Sequence, residues 1–208
     1  MKNRMVILLI ASAFLFTGCQ AVFKAFVGFK PMEHFDQGKY EAFVDNLPKD
    51  VPFTSIVSSV EQSLEVIDFD TVKQAQHNLY QPIQMLYFRG EALVSYHVNC
   101  MAPAKGFGLN WNYDGRFESF PPKSPLNCDS ININLAQYQR VYREINGDGE
   151  YTIIVYWTNV LPKISRSAIK TVFANLKEFQ QVGNCRVYLI NDDQFLIDNM
   201  KEESSTNN

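Results

Sequence analysis

Residues 151–164, YTIIVYWTNVLPKI, determine how the C-terminal half of the chain folds. The first seven, Tyr151–Trp157, are apolar on both faces, which is typical of a strand buried in the middle of a sheet. Residues 165–181 follow with one apolar stripe at helical spacing, and Gly183 is placed to cap the end of that helix. The segment therefore predicts a buried strand followed by a long helix.

The same alternation extends to both sides of this segment. It predicts a strand at 130–133, a helix at 135–145 and a further strand at 186–190. Strands that alternate with helices are typical of a parallel sheet with crossover helices. Asp192 and Asp193, which follow the last strand, are interpreted as residues of a solvated turn rather than as a catalytic carboxylate pair.

The preceding region has the pattern of an antiparallel β meander. Strand-like runs occur at 85–88, 92–98, 108–113 and 117–120. Asp114-Gly115 predicts a hairpin turn between the last two runs. The prolines within 121–125 close the meander, because proline cannot donate to a ladder. We therefore expect an α+β protein in which an antiparallel N-terminal meander precedes a βαβαβ unit.

The N-terminal end has the order of an export signal. Residues 1–4 (MKNR) carry two positive charges, residues 5–16 are almost wholly apolar, and two small residues then precede Cys19. The apolar run is shorter than the ~20 residues that a membrane-spanning helix needs. Adding residues 21–29 would lengthen it but would place Lys24 in the bilayer, at about 2.5 to 3.5 kcal/mol. We therefore expect cleavage before Cys19 rather than a retained single-pass helix.

Thr17-Gly18-Cys19 resembles the lipobox of bacterial lipoproteins, although Phe16 lies where that family usually has leucine. The resemblance implies that Cys19 carries a palmitate-containing diacylglyceryl group and that membrane lipid is a partner of the protein. It places the protein in the cell envelope, with its domain in the periplasm or at the surface. Gln20, in place of the aspartate that retains lipoproteins at the inner membrane, favours the outer membrane.

The charge composition bears on the choice of partner. The chain has a net charge of −3 and no run of lysine and arginine. This argues against a nucleic-acid partner. It also gives no sign of an electrostatic membrane patch.

Three cysteines remain after Cys19. An odd number in an oxidising compartment predicts one disulfide and one free thiol. Cys100 and Cys128 flank a stretch rich in proline and glycine and are the favoured pair, which leaves Cys185 free. The cysteine spacings and the scattered histidines match no metal-site pattern, so we expect neither a metal nor a cofactor.

The segment that ends the buried strand resembles the active-site segment of thioredoxin-like proteins. In that family an aromatic pair ends the strand, and a C-x-x-C motif then opens the helix, whose N-terminus lowers the thiol pKa. Aligned on Trp157, the two cysteine positions fall at Leu161 and Ile164. The resemblance implies a thioredoxin-like α/β region without the reactive sulfurs. Too little chain follows for the family's closing hairpin, which the upstream strands could supply.

These patterns divide the chain into five regions. They are a signal peptide at 1–18, a lipidated tether with an opening helix at 19–52, an antiparallel β-rich region at 53–125, a thioredoxin-like α/β region at 126–198 and a disordered polar tail at 199–208. Pro48 ends the opening helix.

Three functions remain open at this point. The preferred one is a non-catalytic binding or assembly module with no catalytic residue, which binds an envelope protein or peptide. The first alternative is an envelope thiol-disulfide oxidoreductase that uses Cys100, Cys128 or Cys185. The second is a glycan or peptide binder that uses the aromatic residues of 107–120 as ligand contacts, namely Trp111, Tyr113 and Phe117. The same aromatic residues also suit a small β core, because alternate residues share one face of a strand.

Overall fold

The structure is a computed structural model that describes residues 28–69, 78–106 and 108–206. The predicted signal peptide, Cys19 and Phe107 lie outside the described residues.

The centre of the molecule is a five-stranded mixed sheet. The strands in chain order are β1 (Thr54–Val57), β2 (Gln84–Arg89), β3 (Ala92–Val98), β4 (Ala104–Lys105), β5 (Gly108–Leu109), β6 (Tyr151–Trp157) and β7 (Cys185–Asn191). The order in the large sheet is β1-β7-β6-β2-β3, whereas β4 and β5 form a separate two-stranded ladder. Strands β1, β7 and β6 run parallel, and the β2–β3 hairpin pairs antiparallel with β6.

Helices cover both faces of the sheet. They are α1 (Gln37–Asp45), α2 (Val60–Ile67), α3 (Leu135–Val141), α4 (Pro162–Glu178) and α5 (Asp193–Thr206). Three of them begin at a polar residue whose side chain accepts a backbone N–H three residues later, at Asp36, Ser59 and Asn134. Helices α1 and α4 pack on one face, and α2, α3 and α5 pack on the other. The α+β class is therefore confirmed, among the described residues, as a mixed sheet between two helical layers.

Strand β6 connects the two hydrophobic cores. All seven of its residues are buried. Ile153, Val155 and Trp157 contribute to the core under α1 and α4, whereas Ile154 and Tyr156 contribute to the opposite core. The predicted buried strand is confirmed, and so is the parallel connection from β6 through α4 to β7.

The predicted meander forms as the β2–β3 hairpin, but the predicted strand at 108–113 is reduced to β5, which pairs with β4, and no strand forms at 117–120. The segment 112–118 satisfies its backbone locally, because Asn112 Oδ1 accepts the Phe117 N–H at 2.8 Å and Gly115 O accepts the Glu118 N–H at 3.1 Å. Asp114 and Gly115 do form a turn with positive φ, but strands do not flank it. The expectation of strands on both sides of this turn is therefore wrong.

The predicted strand at 130–133 is also absent. A 3₁₀ turn occupies Cys128–Ser130, and only an isolated bridge joins Asn134 to Ala92. The β2–β3 hairpin already fills the place beside β6 that this strand would have taken. Because β2 and β6 pair directly, the regions 53–125 and 126–198 share one sheet.

The ends of three helices differ from the sequence-based expectation. Helix α3 ends at Val141, four residues before the predicted end at residue 145. Helix α4 ends at Glu178, and the residue in the left-handed conformation is Gln180 (φ 55°), not Gly183. Helix α5 continues to Thr206, through most of the predicted disordered tail. Its first turns are anchored by the buried Phe195 and Ile197, and the lysine and glutamates that follow are good helix formers.

Within the described ranges, no helix is long and apolar enough to cross a membrane.

Candidate functional site

The carboxyl ends of β6 and β7 lie together at one edge of the sheet, because the two strands are parallel neighbours. Such an edge is where α/β proteins usually bind their ligands. Here Thr158 and Asn159 follow β6, and Asp192 and Asp193 follow β7. All four side chains are buried.

Asp193 joins the two loops at this edge. Its Oδ1 accepts the Thr158 hydroxyl at 2.6 Å and the Asn159 backbone N–H at 2.7 Å, and its Oδ2 accepts the Asn159 amide at 2.9 Å. Ser165 extends the network by donating to Thr158 O at 2.8 Å. Asp193 is also the first residue of α5, where a negative charge is stabilised by the helix dipole. Because Asp193 is fully buried and already accepts three hydrogen bonds, its role is to stabilise the two loops and not to contact a ligand.

Asp192 faces a different network. Its Oδ1 accepts the hydroxyl of Ser63, which shares a hydrogen bond of 2.9 Å with Ser58. Ser58 in turn shares one of 2.8 Å with the Tyr142 hydroxyl, to which Tyr156 donates at 3.3 Å. Burial raises the pKa of Asp192 to about 7, the Ser63 hydrogen bond opposes this, and the nearby Asp193 adds to it. This carboxyl can therefore gain or lose a proton near neutral pH.

The interpretation of the two aspartates as solvated turn residues is wrong. Asp192 is 7% exposed and Asp193 is 0% exposed. They do point to different partners, as adjacent residues at a strand end must. Burial arises because α2 and α5 close over this end of the sheet, which no local pattern around residue 192 indicates.

Trp157, Leu161 and Ile164 lie at the predicted junction of strand and helix. Trp157 ends β6, and its ring stacks on Phe43 (centroids 4.1 Å apart) and on Tyr40 (5.7 Å). Leu161 is the N-cap of α4, and Ile164 is buried in the first turn. The helix therefore opens at the two positions that the thioredoxin-like alignment assigns to cysteine, and both positions hold apolar side chains.

The N-terminal segment of the described chain covers this junction. The Lys30 N–H donates to Val160 O at 2.8 Å. Met32, Val160 and Ile197 form a small buried cluster, against which Phe29 packs. The residues that would border a reactive centre in a thiol enzyme are thus covered by the protein itself.

The three described cysteines are free thiols of raised pKa. Burial raises the pKa of Cys185, at the other end of β7, to about 12, and Glu150 adds to this. Burial also raises the pKa of Cys128, against a hydrogen bond to Ser124, and raises that of the more exposed Cys100. A raised pKa keeps a thiol protonated and a poor nucleophile. The Cys100–Cys128 disulfide stays a prediction.

The aromatic residues of 108–120 belong largely to the core. Trp111 is 3% exposed and Phe117 is 5% exposed, and both pack with α4 residues under the sheet. Tyr113 is partly exposed, with the Arg116 guanidinium over its ring at 4.6 Å. Asn175 of α4 donates to Phe117 O at 2.9 Å. These contacts favour the core role over ligand binding.

No group of three or more histidine, cysteine, aspartate or glutamate residues in the described part of the chain could hold a metal ion.

Comparison with known proteins does not assign the chain to a family. No family model matches it, and neither does any curated protein or solved structure. A function is therefore inferred below from the chemistry of the described residues.

One surface feature was missed by the sequence analysis. A depression of about 330 Å³ beside the start of α4 is lined by Lys30, Lys39 and Arg166, among others. A second, shallower depression along α4 is lined by Lys163, Arg166 and Lys170. The spacing of the last three along α4 is visible in the sequence, but their proximity to Lys30 and Lys39 is not. We call these five residues the basic face.

Proposed function

We propose that this protein is a lipid-anchored lipoprotein of the cell envelope whose domain is a non-catalytic binding or assembly module. One observation carries the non-catalytic part of the proposal. Leu161 and Ile164 occupy the positions where a thioredoxin-like enzyme would hold its sulfurs. The N-terminal segment is hydrogen-bonded to Val160, and Leu161 packs against the cluster that contains Met32. No thiolate is available there to attack a disulfide.

The thioredoxin-like arrangement is part of the same proposal. Among the described residues, the element that follows β7 is helix α5 and not a closing hairpin. In this protein the β2–β3 hairpin lies antiparallel beside β6, so an earlier segment of the chain can supply those strands. This strand order supports a thioredoxin-like sheet built with a different chain order.

The anchor at Cys19 is tested by metabolic labelling. Palmitate fed to the expressing bacterium should label the protein, and Cys19→Ser should abolish the label, because the lipobox-like residues direct acylation to that sulfur. Cys100→Ser is the matched control and should keep the label. Label that persists in Cys19→Ser would refute the anchor.

The non-catalytic assignment is tested by insulin reduction. The native protein should not accelerate it, because its thiols are protonated and its junction is apolar. Leu161→Cys/Ile164→Cys should form a disulfide under mild oxidation, since the two positions lie about one helical turn apart, within the ~4.4 to 6.8 Å Cα separation that a disulfide tolerates. The thiol at position 161 should then titrate below the ~8.5 of free cysteine, because it lies at a helix N-terminus.

Two results would contradict the non-catalytic assignment or the thioredoxin-like alignment. Insulin reduction by the native protein would overturn the non-catalytic assignment. A folded double-cysteine variant that does not close its disulfide would contradict the alignment on Trp157.

A further inference from the structure

The basic face concentrates positive charge on a protein that is acidic overall. Lys163, Arg166 and Lys170 follow one another along the accessible side of α4, and the helix has one acidic residue, Glu178, near its other end. The net charge of the chain is −3. The concentration therefore comes from the fold and not from the composition.

Several of these cations are available to an outside partner. Lys163 and Lys170 are exposed, and neither makes an ion pair with a described residue. Lys39 pairs with Asp36 at 3.3 Å, but both side chains remain substantially accessible. Arg166 is held in place, because its guanidinium donates to Asn46 O at 3.2 Å and lies 4.7 Å from the centroid of the Phe43 ring.

The described chain begins on this same face. A Cβ placed on Gly28 would lie 2.9 Å from Lys163 Cδ, so the backbone at residue 28 passes directly over the lysine side chain. Gly28 lies nine residues after Cys19 in the sequence. Nine residues extend over at most about 30 Å. A lipid anchor at Cys19 would therefore keep Gly28, and with it the Lys163 end of the basic face, within about that distance of the membrane.

We propose that the basic face docks on the anionic phospholipid headgroups of the membrane that holds the protein. The inference rests on the proposed anchor and adds the orientation of the domain and the chemistry of the surface it meets. Lysine and arginine side chains near a membrane are attracted to anionic lipids over roughly a Debye length, about 8 to 10 Å at moderate salt. The depression between Lys30, Lys39 and Arg166 gives a headgroup phosphate three cations to approach.

The test uses the full chain reconstituted into vesicles, with lysine acetylation read residue by residue by mass spectrometry. One set of vesicles contains phosphatidylcholine alone, and the other also contains phosphatidylglycerol. We expect Lys30, Lys163 and Lys170 to be acetylated several-fold more slowly in the anionic vesicles, and the difference to vanish in high salt. Lys105 and Lys123, which are exposed and lie outside the basic face, should react equally in both.

A charge-reversal pair makes the test specific. Lys163→Glu/Lys170→Glu should remove the protection of Lys30, whereas Lys105→Glu/Lys123→Glu, with the same change in net charge, should retain it. Equal protection in both kinds of vesicle, or equal protection of Lys105, would overturn the proposal. So would protection of Lys30 and Lys163 by inorganic phosphate in detergent solution, which would indicate a small-anion site instead of a lipid surface.

The anchor and the docking fail separately in this design. Palmitate labelling of Cys19 without lysine protection would retain the anchor and reject the docking. Lysine protection without Cys19 labelling would retain the docking and reject the acyl anchor.

Discussion

Two adjacent aspartates show how much the environment decides at the scale of single residues. Asp193 accepts three hydrogen bonds and ties the loop after β6 to the start of α5. Asp192, one residue earlier, has the Ser63 hydroxyl as a donor and is otherwise enclosed. In Asp193, three hydrogen-bond donors offset the cost of burying the carboxylate. In Asp192, burial is the larger effect and raises the pKa to about 7.

The raised pKa of Asp192 makes stability depend on pH in a definite direction. In the unfolded chain this carboxyl would ionise near its ordinary pKa of 3.8, and in the folded protein near 7. Because burial disfavours the ionised carboxylate, ionisation of Asp192 lowers the free energy of unfolding. This loss is absent below pH 3.8, grows between pH 3.8 and about 7, and is complete above about pH 7. Asp192→Asn should therefore be more stable than the native protein above pH 7, by on the order of 4 kcal/mol.

Urea unfolding at several pH values measures this effect. The stability gained by Asp192→Asn over the native protein should shrink steadily as the pH falls from about 7 to about 4. Asp193→Asn is the matched control and should lose about 1 to 3 kcal/mol at neutral pH, because its new amide group would face the amide of Asn159. A stability difference between Asp192→Asn and the native protein that stays constant from about pH 4 to about pH 8 would show that folding does not raise the pKa of Asp192.

At the scale of elements, helix α4 matches its sequence pattern in the middle and departs from it at both ends. The predicted stripe forms over its first five members, Ala168, Ile169, Val172, Phe173 and Leu176, which are all buried. Its sixth member, Phe179, lies at the C-cap and is half-buried. The helix begins at Pro162, three residues before the predicted start, because proline is well suited to the first turn. It ends at Glu178, and the left-handed Gln180 follows; the next residue, Gln181, donates its N–H to Leu176 O at 2.8 Å.

The left-handed Gln180 gives an element-scale prediction. A residue with a Cβ is strained at φ 55°, so Gln180→Gly should raise the free energy of unfolding by about 1 kcal/mol. Gln180→Ala keeps the Cβ and should change it little. Gly183→Ala should not destabilise, because its backbone is not left-handed and nothing lies within 4 Å of the added methyl group. Thermal or urea unfolding checks all three, and destabilisation by Gly183→Ala would restore the predicted cap.

At the scale of the whole molecule, the sheet brings together segments that are distant along the chain. Strand β6 has β7 on one side and the much earlier β2 on the other. The segment around Met32 closes the carboxyl end of the sheet by packing on Val160 and Ile197. The same closure brings Lys30 and Lys39 beside Arg166, and so assembles the basic face from three parts of the chain.

The sequence alone determined the elements whose evidence is local. Strand β6 is apolar on both faces and α4 carries its stripe within one run of residues, so each can be predicted without its partners. The lack of cysteine at Leu161 and Ile164 is equally visible in the sequence.

Only the tertiary structure decided the rest, because it depends on which distant segments pack together. The predicted strand at 117–120 does not form, because the Phe117 N–H donates to the Asn112 side chain and not to a neighbouring strand. The pKa of Asp192 depends on its burial, which arises when α2 and α5 close over it. The basic face likewise exists only once Lys30 and Lys39 meet α4, and sequence charge patterns report only cations that are neighbours along the chain.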